Sequence, residues 1–133
     1  MEIPTPEHQA LLESALEYFK SKDYEILRAA NLEGYTNPAK QGRHEPDAIM
    51  VDSEGVLHFL EAKLGSDMAN ERTKEQFIDF SRRVMGDGSK HPGHPVILDI
   101  VVFRKDTEIL LNVLRELSLL DLLGKRINFY TKG

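Results

Sequence analysis

Residues 46–63 read PDAIMVDSEGVLHFLEAK. Two runs rich in Val, Ile, Leu and Phe, 47–52 and 56–63, flank Ser53, Glu54 and Gly55. Such runs around a three-residue loop, with Gly able to take the left-handed position, predict a β-hairpin. If Asp52 faces Val56, then Val51 faces Leu57, Ile49 faces Phe59 and Asp47 faces Glu61. Lys63 follows two residues later on the same face as Glu61. Both faces of the hairpin are mostly apolar, which predicts a central sheet covered by helices on each side.

Upstream, Thr5, Pro6 and Glu7 read as a helix start, with Thr as the cap, Pro at the first helical position and an acid in the first turn. Leu12, Ala15, Leu16 and Phe19 then recur at the spacing of one buried face, so a helix is expected over 6–22. Residues 24–29 read as a strand. The polar stretch 31–45, with Gly34, Pro38 and Gly42, reads as a long loop of the kind that often carries function.

Downstream, a second helix is expected over 71–85 from Phe77, Phe80 and Val84, with Gly86 past its end. A polar loop follows over 86–95. Residues 96–103 are rich in Val and Ile and predict a central strand. A third helix, capped by Asp106 or Thr107, is Leu-rich through Leu123 and is expected to stop at Gly124. Residues 127–131 close the chain as a strand. The expected fold is α/β: three layers, α/β/α, around a mixed sheet of about five strands in the order α-β-β-β-α-β-α-β. A single domain over 1–133 is the expectation for this length.

Hydrophobic residues make up 41% and charged residues 29%, which excludes a disordered or membrane-spanning class. The chain starts without a basic segment or an apolar run, so a cytoplasmic location is expected. Cysteine is absent, which removes disulfides and thiolate chemistry. The net charge is −5, and it is uneven: residues 1–63 hold 6 Lys/Arg against 12 Asp/Glu. An acidic first half counts against nucleic-acid binding unless a cation neutralises part of it.

Carboxylates facing each other across an antiparallel pair lie roughly 5 Å apart at Cβ and repel. A divalent cation on oxygen ligands offsets that repulsion, and Lys63 places a positive group beside any activated water. Asp47, Glu61 and Lys63 thus form a candidate hydrolytic centre. In the alternative reading, Asp47 caps the strand start and Glu61 pairs with Lys63 as a surface ion pair.

Pro46-Asp47, a hairpin, then Glu61-Ala62-Lys63 resembles the signature of the PD-(D/E)XK nuclease superfamily in residue identity, order and spacing. The resemblance implies a restriction-endonuclease-like fold, metal binding by Asp47, Glu61 and the Ala62 carbonyl, and Mg²⁺ or Mn²⁺ as cofactor. It implies that Lys63 orients or deprotonates the attacking water, and that the first helix contributes a glutamate, for which Glu13 is the expectation. Some branches carry a glutamine followed four residues later by an aromatic, a pattern that Gln76 and Phe80 fit. Residues 77–84, FIDFSRRV, and the strand after them resemble archaeal Holliday-junction resolvases. The acidic charge, the longer loop before the fourth strand and the Leu-rich third helix depart from those resolvases.

Arg43, His44, Arg72, Lys74, Arg82 and Arg83 flank the motif and are candidate phosphate contacts. His91 and His94 lack a third ligand and read as loop residues. His58 lies on the face opposite Glu61 and reads as a satisfied core histidine. The leucines of the third helix exceed what one buried face needs, so a homodimer through that helix is expected. The expected activity is a metal-dependent endonuclease acting on DNA, with branched or otherwise structured DNA among its substrates. The alternative is a non-catalytic nuclease-fold module that binds DNA or a partner protein.

Overall fold

The computed structural model describes residues 4–133. Helix α1 spans Pro6–Ser21, followed by strands β1 (Glu25–Ala29), β2 (Ala48–Val51) and β3 (Leu57–Ala62). Helix α2 (Glu71–Phe80), β4 (Ile97–Phe103), α3 (Thr107–Glu116) and β5 (Ile127–Lys132) complete the order. The five strands form one mixed sheet in which spatial order equals chain order, β1 to β5. The pairs β1·β2 and β2·β3 are antiparallel, while β3·β4 and β4·β5 are parallel.

The hairpin has the register its sequence predicts: Ala48 opposite Leu60, Ile49 opposite Phe59, Met50 opposite His58 and Val51 opposite Leu57. Turn chemistry fixes it. Asp52 Oδ1 accepts the amides of Glu54 and Val56 at 2.9 and 3.0 Å, and Gly55 takes a φ of +84°. Only glycine adopts that conformation without steric cost. A one-residue slip would part Asp52 from the two amides it holds, so the turn specifies the register.

Each face of the sheet carries its own core. Leu11, Leu12, Ala15, Leu16 and Phe19 of α1 pack on Ala48, Met50, Leu60, Ala62 and Val101. Phe77 and Phe80 of α2 and Leu110, Val113 and Leu114 of α3 pack on Phe59, Leu98, Ile100 and Val102. Each fully buried side chain of this size contributes about 1.5–3 kcal/mol. The result is a helix layer on either side of the sheet. No helix among the described residues is long and apolar enough to cross a membrane.

Two helices end earlier than their sequence predicts. Helix α2 stops at Phe80 rather than residue 85, because Val84 bridges Pro95 and Met85 N–H bonds the His94 carbonyl. The chain there leaves helical pairing for extended pairing, and Val84 is exposed. Helix α3 stops at Glu116 rather than near Gly124. Leu119 N–H bonds the Leu114 carbonyl and Ser118 N–H bonds the Arg115 carbonyl, with Ser118 at φ 60°. This is a Schellman stop built on serine instead of glycine. The leucines beyond it turn inward: Leu117, Leu120, Leu122 and Leu123 pack against the core, and Leu119 is buried in it. The surplus that suggested a dimer surface is therefore taken up within the chain, and Ile109 is the exposed large apolar residue left on α3.

Candidate functional site

Asp47 sits one residue before β2, where the hairpin register carries it opposite Glu61 on β3. Its Oδ2 accepts the Ala62 amide at 2.9 Å. A strand residue sends its N–H and C=O toward the same neighbour, so the Ala62 carbonyl also faces the Asp47 side, beyond the end of β2. Lys63 continues β3 through its amide bond to the Val101 carbonyl at 3.0 Å. Its Nζ lies 3.7 Å from Glu61 Oε2 and donates to Gln76 Oε1 on α2. Asp47, Glu61, Ala62, Lys63 and Gln76 thus come together at one end of the hairpin.

Glu61 is 1% exposed, and its Oε1 has no hydrogen-bond partner. Burial, then the charge of Asp47, push its carboxyl well above the usual carboxylate range, against the pull of Lys63 and Arg72. Burial pushes Asp47 the same way, but the His8 hydrogen bond and charge, Lys63 and the Ala62 amide outweigh it and hold its carboxyl low. The two carboxyls are therefore driven apart: Asp47 gives up its proton more readily than an ordinary carboxyl and Glu61 less readily.

No protein-family model, no curated protein and no solved structure matches this chain.

The contribution of α1 differs from the expected one. Glu13 is exposed, and among the described residues its side chain makes no hydrogen bond. The residue that reaches the site is His8, whose Nε2 lies 3.1 Å from Asp47 Oδ2. Its sequence signal was the buried stripe itself. His8 continues Leu12, Ala15, Leu16 and Phe19 one turn toward the helix start, placing a polar side chain on an apolar face.

Three of the six candidate phosphate contacts are held by acids. Arg43 bonds Asp79 through Nε and Nη2 at 3.0 and 3.1 Å and lies 3.4 Å from Glu75. His44 Nε2 is 3.2 Å from Glu75, and Lys74 Nζ is 3.0 Å from Glu116. The Arg43 and His44 pairs staple the long loop before Asp47 onto α2, and the Lys74 pair ties α2 to the end of α3. Arg72 and Arg82 are exposed, and the Arg83 guanidinium packs against the backbone of Gly42.

His58 is buried on the face away from Glu61, with Nδ1 2.7 Å from Asp99 Oδ2 and Nε2 2.9 Å from Asp52 Oδ2. Both ring nitrogens are satisfied. His91 and His94 remain in their loop, bonded to the carbonyls of Glu54 and Pro95.

The residues present suit a hard cation in one respect and not in another. Among the described residues, no group of three or more His, Asp or Glu side chains forms a ligand set. The oxygen donors are two opposed carboxylates and a backbone carbonyl, and one buried carboxylate oxygen lacks a partner. Such an incomplete, all-oxygen set fits Mg²⁺ or Mn²⁺, which retain several waters and take one or two carboxylates from the protein.

Proposed function

We propose that this chain is a divalent-cation-dependent nuclease of the PD-(D/E)XK type, with a restriction-endonuclease-like fold, that hydrolyses phosphodiester bonds in DNA. The observation that carries this reading is Glu61 Oε1, a buried carboxylate oxygen without a partner, opposite Asp47 and beside Lys63. A buried polar atom left unpaired costs about 1–3 kcal/mol, and a cation between the two carboxylates removes that cost. The chain order of helices and strands, and the helix layer on each side of the sheet, support the fold assignment.

In this reading Asp47, Glu61 and the Ala62 carbonyl would hold Mg²⁺ or Mn²⁺. The cation supplies Lewis-acid stabilisation of negative charge on the scissile phosphate and lowers the pKa of water. Gln76 fixes the Lys63 amine beside Glu61, and the remaining protons of that amine orient the attacking water. Arg72 and Arg82, exposed on and just after α2, supply phosphate contacts.

Incubation of linear, flapped, branched and single-stranded DNAs with Mg²⁺ or Mn²⁺ tests the reading. Cleavage of at least one form, lost on chelation, is expected. A second reading is a non-catalytic module that binds a partner protein, which the neutralised Arg43 and Lys74 and the net charge of −5 favour, or that binds DNA without cutting it. Retarded migration of a DNA that is never cut would select it.

A further inference from the structure

His8, Gln9, Ala30 and Asp47 form a closed ring of hydrogen bonds. The Gln9 amide nitrogen donates to the Ala30 and Asn31 carbonyls, both at 3.2 Å, which sets which end of the amide is which. Gln9 Oε1 therefore faces His8 Nδ1, at 2.7 Å. His8 Nε2 reaches Asp47 Oδ2 at 3.1 Å, and the Ala30 amide bonds the Asp47 carbonyl at 2.8 Å. The ring starts and ends on Asp47. It ties the first turn of α1 to the residue after β1 and to the carboxylate at the start of β2.

The ring determines which Asp47 oxygen is available. Oδ2 accepts the Ala62 amide at 2.9 Å and sits against His8 Nε2 at 3.1 Å. Among the described residues, no backbone amide, imidazole or amine bonds Oδ1. A carboxylate held this way has its rotation about Cβ–Cγ fixed, with one oxygen occupied and the other presented.

We infer that His8, oriented by Gln9, is a positioning residue that fixes Asp47 so that Oδ1 alone is offered to a cation. This inference rests on the metal-centre reading above. His8 acts through Asp47 and does not itself hold the cation. Second-layer donors of this kind, when removed, weaken metal affinity by roughly 10–100-fold.

The test is Mn²⁺ affinity, read from the electron paramagnetic resonance signal of the free ion, for wild type, His8→Ala, His8→Gln, Gln9→Ala and Asp47→Ala. A glutamine amide nitrogen falls close to the position of imidazole Nε2, so His8→Gln keeps the donor. Expected are loss of binding in Asp47→Ala, a roughly 10–100-fold loss in His8→Ala, a smaller loss in Gln9→Ala, and recovery to within a few-fold of wild type in His8→Gln. Gln9→Ala leaves His8 and Asp47 in place, so it remains informative if His8→Ala folds poorly. Wild-type affinity in both His8→Ala and Gln9→Ala, alongside lost binding in Asp47→Ala, overturns the positioning role while leaving the metal centre intact. Loss in His8→Ala as complete as in Asp47→Ala, without recovery in His8→Gln, overturns it in favour of direct ligation. Wild-type protein that binds no Mn²⁺, or binds it no better than Asp47→Ala, overturns the metal-centre reading and this inference with it.

Discussion

The wholly buried Asp99 carboxylate lies 2.7 Å from His58 Nδ1, while Asp52 takes the other ring nitrogen, so one imidazole joins β4 to the hairpin turn. Burial pulls the His58 pKa down, but the hydrogen bonds and charges of Asp99 and Asp52 outweigh it and raise it above the ordinary value. A raised histidine pKa stabilises the fold fully below its unfolded value, about 6.5, and that contribution is lost as pH rises through the folded value. Burial keeps Asp99 above the usual carboxylate range, which also favours the proton-bound state. Denaturation midpoints should therefore fall as pH climbs from neutral into the alkaline range. His58→Gln should be less stable at pH 6 and should flatten that decline; an unchanged slope would remove His58 as its source.

Glu61 is expected to respond to pH in the same direction from a different cause. Its folded pKa is raised by burial and by Asp47, so the folded state holds a proton that the unfolded chain releases near the ordinary glutamate value. Metal-free stability should fall as pH rises from that value through the folded one. Glu61→Gln imitates the protonated form. It should be more stable than wild type at pH 7 without metal, and it should lack the melting-temperature rise that the proposed metal centre predicts for wild type with Mn²⁺. Thermal melts with and without Mn²⁺ at fixed ionic strength check both parts.

Asp47→Ala, Glu61→Ala and Lys63→Ala should each abolish cleavage with the fold retained, as judged by circular dichroism. Gln76→Ala should be milder. It removes one charge-assisted bond to Lys63, of about 1.5–3 kcal/mol, corresponding to a rate loss of roughly 10–100-fold. A Gln76→Ala protein that cleaves at the wild-type rate would make that contact dispensable.

Ser118→Gly should stabilise the protein by about 1 kcal/mol, because the left-handed conformation strains any residue with a Cβ. Chemical denaturation measures this directly. A loss of stability would mean that unfolded-state entropy outweighs relief of strain.

The hairpin and its register were legible in the sequence because they are local: Asp52, Gly55 and two apolar runs specify them within a few residues. The opposition of Asp47 and Glu61 followed from that register alone. The ends of α2 and α3 were not legible, since the α3 stop depends on a serine in a glycine conformation and the α2 stop on pairing with residues 94–96. His8 was not legible as a site residue because its partner is 39 residues away, and its one local mark, a polar side chain continuing the apolar stripe, does not point to that partner. The pairing of Arg43 with Asp79, 36 residues apart, was hidden in the same way and removed one candidate phosphate contact.

A sheet whose spatial order repeats its chain order also bears on synthesis. Each strand can join a neighbour that has already left the ribosome, and no strand must wait for a distant segment to be inserted beside it. Both strands of the hairpin are synthesised before β4 and α3. Any hairpin formed before the helices pack would hold the two carboxylates facing each other in water, where their repulsion is screened and the desolvation that drives their pKa values apart is absent.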